Sequence, residues 1–130
     1  AAWSGAAVRL ICERYSQYTE INFNMDCPSQ RVSGQRQFGA VLMKQVDTAI
    51  QVLQEMKQQA ASCCFSEGSN SKTNGKIISV KTRIGIDDWD DWDFLVSFIS
   101  RLTHVCQRFY MHGRKCLLQG LNPAQNRSVP

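Results

Sequence analysis

The chain has 130 residues, of which 43% are hydrophobic and 20% are charged, and its formal net charge at pH 7 is +4. These proportions are ordinary for one folded domain, and no apolar run approaches the roughly 20 residues that cross a bilayer. The Lys and Arg residues are spread along the chain, which argues against nucleic acid as the main partner because phosphate binding requires clustered cations.

The first half of the chain predicts a helix, a short strand and a long helix. Over residues 3 to 20, apolar residues such as Val8 and Ile11 recur at helical spacing. Apolar and polar residues alternate over residues 21 to 26, which predicts a half-buried strand. Residues 37 to 64 combine an apolar stripe with a polar face, so they are expected to form the longest helix.

The second half predicts a strand and a last helix. After a polar loop over residues 65 to 76, apolar residues alternate with polar ones over residues 78 to 86. From Trp89 to His112, apolar residues recur at alternating three- and four-residue spacing, and aspartates crowd the start, where carboxylates favour the positive end of the helix dipole. Gly113 is placed to end this helix.

The last predicted helix is also apolar on its opposite side. A helix that is apolar on both sides is either enclosed within its own fold or presents one face to a partner, and both interpretations remain open. The residues on the opposite side are Phe94, Phe98, Arg101, Val105, Arg108 and His112.

Six cysteines in so short a chain predict an oxidising compartment and disulfide bonds, so the protein is expected to be secreted. They are Cys12, Cys27, Cys63, Cys64, Cys106 and Cys116. A bridge between Cys12 and Cys106 would join the inward stripes of the terminal helices, and the adjacent Cys63 and Cys64 are expected to pair with Cys27 and Cys116. Asn126 begins an N-glycosylation acceptor triplet, which is consistent with secretion.

The sequence shows no constellation that predicts catalysis. Neither His104 nor His112 is framed by a nucleophile or a carboxylate motif, and the aspartates at 87–93 lack the spacing of a calcium loop. We therefore expect no catalytic residue, no metal site, no cofactor and no enzyme activity. One domain is predicted over residues 1–116, followed by a flexible tail over residues 117–130.

One stretch resembles a known family. The run CCFSEGSNSKTNGKIISVKTRIGIDDWDDWDFLVSFISRLTHVCQRFY is similar to the second half of short-chain four-helix cytokines of the interleukin-4/13 and interleukin-2/21 groups. It shares with them a cysteine closing a helix, a polar loop, a β-like crossover and a terminal amphipathic helix. The resemblance covers about half of the chain, and residues 28–36 are the candidate for the fourth helix.

The order of the predicted elements indicates a mainly α fold, a small disulfide-linked helical bundle with a short two-stranded β ribbon across it. The resemblance implies that the bundle has up-up-down-down topology. It implies a signalling ligand that binds cell-surface receptor ectodomains through its first and last helices. The implied receptor-binding residues are Arg9, Glu13, Arg14, Phe98, Arg101, Val105, Arg108 and His112. The alternative is a secreted helical carrier of a small apolar ligand, in which Phe98 would line a cavity.

Overall fold

A computed structural model describes residues 2–34, 37–63 and 76–129 of the chain. Three α-helices lie in it, α1 (Ala2–Arg14), α2 (Val46–Ser62) and α3 (Trp92–Thr103), together with three strands, β1 (Glu20–Met25), β2 (Ile77–Arg83) and β3 (Phe109–His112). Short helical turns of other types cover Gln30–Gly34, Gly39–Lys44 and Gln125–Arg127. The described elements therefore alternate between helix and strand.

The strands form one parallel sheet in the order β1-β2-β3. Ile21 lies opposite Ile78 in the first pair, and Val80 lies opposite Phe109 in the second. Parallel neighbours need a crossover between them, and α2 and α3 lie in these two crossovers. The expected helical bundle with a β ribbon is therefore wrong, and the fold is α/β.

Both strands that the alternation predicts are confirmed, and β3 is the element that the sequence pattern missed. The last helix ends at Thr103, nine residues before the expected end at His112. The spacing of Cys106 and Phe109 continues the helical pattern by coincidence, because Phe109–His112 instead hydrogen-bonds along β2. The long helix is also divided, since Gly39–Lys44 is a 3-10 turn and α2 begins only at Val46.

One hydrophobic core lies on the apolar side of the sheet. Met25 and Val80 are fully buried there, and α2 contributes Leu53 and Met56 from its inward stripe. Leu102 of α3 is fully buried in the same cluster. The period-two alternation of the strands thus gives each strand one face for this core and leaves the other face polar.

The segment after β3 returns to the sheet. Cys116 donates its backbone N–H to Gly85 O at 3.0 Å and accepts from Asp87 N at 2.8 Å, so this segment runs beside the end of β2. Asn126 is fully buried, and Arg114 Nη1 donates to Val129 O at 2.9 Å. The described part of residues 117–130 therefore packs on the domain, while the predicted boundary at residue 116 stays a prediction.

Candidate active site

The polar face of the sheet carries a ladder of facing side chains. The register places Asn22 opposite Ser79, Asn24 opposite Lys81, and Arg83 opposite His112, so residues from all three strands share this face. Asn22 Nδ2 donates to Ser79 Oγ at 2.8 Å across the first pair. The ladder therefore combines charged and neutral polar groups along the whole described sheet.

Three of these side chains converge on Asp26, which directly follows β1. Its Oδ1 accepts from Arg83 Nε at 2.6 Å and lies 3.3 Å from His112 Nδ1, while its Oδ2 pairs with Lys81 Nζ. Lys81 and Arg83 are two residues apart on β2 and so point to the same face. The carboxyl edge of the sheet therefore holds one carboxylate among three nitrogen groups.

Arg83 is the buried anchor of this cluster. It is 3% exposed, and its Nη1 donates to Lys115 O at 3.0 Å and to Asn126 O at 2.8 Å, beyond the bond to Asp26. A buried guanidinium is stable only when its donors are satisfied and its charge is paired. Arg83 thus ties the end of β1 and the segment after β3 to β2.

His112 and Lys81 remain partly exposed, at 28% and 42% of their side chains. Burial, followed by the nearby charges of Arg83, Lys81, Arg114 and Arg127, lowers the pKa of His112. Burial, followed by the charge of Arg83, lowers the pKa of Lys81. At 3.3 Å the contact of His112 with Asp26 is long, so the burial and the cations outweigh it and favour the neutral imidazole.

Cys27 follows Asp26, and its backbone is held from two directions. Asn24 Oδ1 accepts from the backbone N–H of Asp26 at 2.9 Å and of Cys27 at 3.3 Å, while Cys27 O accepts from Ser33 Oγ at 2.7 Å and from Ala40 N at 3.0 Å. Cys27 as a whole is half-buried. These bonds fix a thiol-bearing residue at the same edge as Asp26.

Gly39 makes this arrangement possible. Its φ is +71°, and a Cβ there would lie 2.5 Å from Cys27 O, which is closer than any side chain tolerates. The 3-10 turn that begins at Gly39 can therefore pass directly against Cys27. This contact links the loop after β1 to the start of the hydrophobic core at Leu42 and Met43.

A second network lies at the amino end of the polar face. Glu20 accepts from Ser79 Oγ at 2.5 Å, from Arg108 Nη1 at 2.8 Å and from Tyr110 Oη at 3.2 Å. The hydrogen bonds from Ser79 and Arg108 lower the pKa of Glu20, and the bond to Glu20 raises the pKa of Tyr110. These groups satisfy one another, so this network joins the strands.

The structure separates the residues that the cytokine resemblance brought together. Arg9, Glu13 and Arg14 are exposed on α1, where Arg9 donates to Gln59 of α2 at 2.9 Å. On α3, Phe98 is 2% exposed and Arg101 is exposed and paired with Asp47. The remaining residues lie beyond α3, namely the buried Val105, the exposed Arg108 and His112 at the end of β3. They do not form one helical face.

The cysteines and Asn126 also differ from the expected arrangement. Cys64 lies outside the described residues, and no disulfide joins any two of the described cysteines, so the disulfide-linked scaffold is wrong. Cys116 is fully buried, and this burial raises its pKa to about 11. Asn126 Nδ2 donates to Leu117 O at 3.0 Å inside the fold, and its glycosylation stays a prediction.

Sequence reasoning missed Asn24, Asp26, Lys81 and Arg83, although it placed Cys27 among the structural cysteines. The signal for them was the set of polar residues that alternate with apolar ones in β1 and β2. These polar residues predicted only which side of each strand is solvated. Within the described residues, no helix is both long and apolar enough to cross a membrane, and no three His, Cys, Asp or Glu side chains are grouped to hold a metal ion.

Parallel strands in sequential order, joined by helices and ending in convergent polar groups, define a segment of a β/α fold. In β/α barrels, functional residues lie at the carboxyl ends of the strands, which is where Asp26, Cys27 and His112 lie. A family model described as Dihydrouridine synthase (Dus) matches residues 3–130. The chain therefore belongs to the dihydrouridine synthase family.

The chain is also similar to curated proteins named tRNA-dihydrouridine(20/20a) synthase. It is 37% identical over 123 residues to the protein of Pasteurella multocida, covering 92% of this chain and 33% of the relative. It is 41% identical over 123 residues to the protein of Synechocystis sp., covering 92% of this chain and 32% of the relative. It is 36% identical over 115 residues to the protein of Escherichia coli, covering 87% of this chain and 30% of the relative. The chain thus spans about a third of the length of these relatives.

This family assignment corrects the functional expectations. The cytokine resemblance, the signalling function and its carrier alternative are wrong, because the family model covers nearly the whole chain. The expectation of a protein that is not an enzyme is wrong, since the relatives are synthases. The expected receptor partners and the exclusion of nucleic acid are likewise wrong, because the relatives are named for tRNA. The expected secretion is also wrong, because the relatives are named for tRNA and the expected disulfides are absent among the described cysteines.

Proposed function

We propose that this chain contributes part of the active site of an enzyme that reduces uridine in tRNA to dihydrouridine. The observation that carries the proposal is the convergence of Asp26, Lys81, Arg83 and His112 beside Cys27 at the carboxyl edge of the parallel sheet. The family and the named relatives support the same reaction. This activity places the protein where tRNA is, inside the cell.

The reaction adds a hydride to one carbon of the uracil C5=C6 double bond and a proton to the other. The hydride comes from a reduced cofactor of the flavin or nicotinamide class, which supplies this chemistry when it is bound. Lys81 is the partly exposed cation at this edge that fits an anionic cofactor or a tRNA phosphate, and His112 is the partly exposed imidazole beside it. Arg83 is already committed to its buried partners.

Cys27 is the proposed proton donor. It is half-buried, its backbone is fixed by Asn24, Ser33 and Ala40, and a thiol is a side chain that can act as a general acid. Cys116 also lies near this edge, but it is fully buried and its pKa of about 11 makes it a poor acid at neutral pH. The position and the accessibility of Cys27 therefore favour it over Cys116 as the proton donor.

The test is the reduction of uridine by the intact protein. We expect tRNA that lacks dihydrouridine to gain it when incubated with the protein and reduced flavin or nicotinamide, measured as the mass of two added hydrogens in the digested nucleosides. Cys27→Ala should lower the rate by about 100-fold or more, which is the usual contribution of a positioned acid, while tRNA binding persists.

Cys63→Ala is the matched control, because Cys63 is a half-buried thiol at the end of α2, away from this edge. It should retain the activity. The proposal fails if the protein binds tRNA and the reduced cofactor but leaves uridine unchanged. The role of Cys27 fails if both variants keep the activity of the wild-type protein.

A further inference from the structure

We propose that Asp26 is a positioning residue, which orients Lys81 and His112 toward the substrate side of this site. The inference rests on the proposed function, since it concerns the same edge of the sheet. It adds a role for a carboxylate that does not itself touch the reacting atoms. Asp26 directly precedes Cys27, so one short segment would carry both the proton donor and the group that arranges its neighbours.

The two carboxylate oxygens of Asp26 contact different partners. Oδ1 faces Arg83 Nε at 2.6 Å and His112 Nδ1 at 3.3 Å, while Oδ2 pairs with Lys81 Nζ. These partners come from β2 and β3, so Asp26 bridges all three strands at their ends. Its side chain is 13% exposed, which shields these bonds from water.

Lys81 and Arg83 point to the same side of β2, and together they bring two cations to a partly enclosed place. Burial, followed by the charge of Arg83, lowers the pKa of Lys81, and a carboxylate that pairs with both cations opposes this effect and holds the ammonium in place. Within the described residues, Asp26 is the carboxylate paired with both of these cations.

Burial and cations favour neutral His112, in which only one ring nitrogen carries a proton. With Asp26 facing Nδ1, that proton belongs on Nδ1, and Nε2 is then the acceptor. Asp26 therefore sets which nitrogen of His112 can accept a hydrogen bond from a substrate.

Asp26→Asn is the discriminating substitution, since it keeps the shape of the side chain and removes its charge. The amide can present only one oxygen, so if it faces Arg83, its NH2 group faces the ammonium of Lys81, and two donors then oppose each other. The groups around His112 are Asp26, Lys81, Arg83, Arg114 and Arg127. Removing the one anion among them should lower the pKa of both Lys81 and His112.

The first measurement is the pH profile of kcat/KM for uridine reduction. We expect Asp26→Asn to lower kcat/KM on the order of tenfold to hundredfold, because Lys81 and His112 lose their orientation. We also expect it to move both the acidic and the basic limb of the pH profile to lower pH by about 1 unit. Asp26→Glu restores the charge and should move the limbs back. A uniform loss of activity with unmoved limbs would show a merely structural role and overturn the proposal.

Asp90→Asn is the matched control. It removes a carboxylate from the same edge of the domain, where Asp90 pairs with Lys115 at 2.5 Å on the surface, outside the polar face of the sheet. This control should keep both kcat/KM and the pH profile. A shift as large as that of Asp26→Asn would contradict the specific role of Asp26.

The second measurement does not depend on activity. Nitrogen NMR of the wild-type protein should show His112 as the Nδ1–H tautomer, with the exposed His104 as the internal reference. An Nε2–H tautomer in the wild-type protein would overturn the inference even if no variant folds. If instead the tautomer is as expected but the wild-type protein reduces no uridine, the proposed function fails while the arrangement by Asp26 stands.

Discussion

At the scale of single residues, the site depends on backbone positions as much as on side chains. The carbonyl oxygen of Cys27 accepts from Ser33 Oγ and from Ala40 N, and it lies 2.5 Å from the place that a Cβ on Gly39 would occupy. The positive φ of Gly39 further restricts the position to glycine. The thiol proposed as proton donor is thus placed by a residue without a side chain.

Replacing Gly39 with alanine tests this dependence. We expect Gly39→Ala to cost about 1–3 kcal/mol of unfolding free energy, because the strained φ and the clash with Cys27 O act together, and to reduce uridine reduction. Gly113→Ala is the matched control, since a Cβ there would meet nothing within 4 Å. Denaturation of the intact proteins measures the unfolding free energy of both variants, and equal stability of the two would contradict the role of Gly39.

At the scale of elements, α3 illustrates how a helix start is specified locally and its end is not. Asp91 is the N-cap, and its Oδ1 accepts from Phe94 N at 2.7 Å, in the aspartate-rich stretch that predicted a helix start. Phe98 and Leu102, one turn apart, anchor the helix in the core. The end at Thr103 depends on the pairing of Phe109–His112 with β2, a contact between distant parts of the chain.

The N-cap can be tested separately from the other aspartates. We expect Asp91→Ala to lower the free energy of unfolding by about 1 kcal/mol, because the N–H of Phe94 loses its acceptor. Asp88→Ala removes an exposed carboxylate that precedes the helix, and it should cost less than about 0.5 kcal/mol. Chemical denaturation of the intact protein compares them, and similar costs would show that general charge, not the cap, stabilises α3.

At the scale of the whole molecule, the segment after β3 closes the fold through buried groups. Cys116 lies in this segment, paired through its backbone with Gly85 and Asp87 beyond β2. Its burial raises the thiol pKa from 9.0 to about 11. Because the unfolded thiol loses its proton first as the pH rises, the stability that Cys116 contributes is present below pH 9 and is lost between about pH 9 and 11.

This linkage predicts an alkaline loss of stability. Under reducing conditions, the unfolding free energy of the intact protein should fall by about 2 kcal/mol between pH 9 and 11 through Cys116, with a further contribution from Cys106, whose pKa burial also raises. Cys116→Ala should show a smaller fall over that range. An identical pH dependence in the variant and the wild-type protein would rule out the buried thiol as its source.

The sequence by itself determined the local periodicities. The alternation in Glu20–Met25 and Ile77–Arg83 and the apolar stripe of α2 were predictable, because side-chain spacing reflects the geometry of one element and the burial of one face. The same alternation contained Asn24, Lys81 and Arg83, but a period of two does not distinguish a solvated face from a functional one.

Only the tertiary structure decided how these elements combine. Contacts between residues far apart in the chain decide whether two strands pair in parallel and whether Phe109–His112 joins them. They also decide whether the described cysteines bond to one another. Asp26 meets Arg83 across 57 positions and His112 across 86, so no local pattern could indicate that cluster. The fold class and the site followed from these long-range contacts, because parallel β/α topology brings the strand ends to one edge.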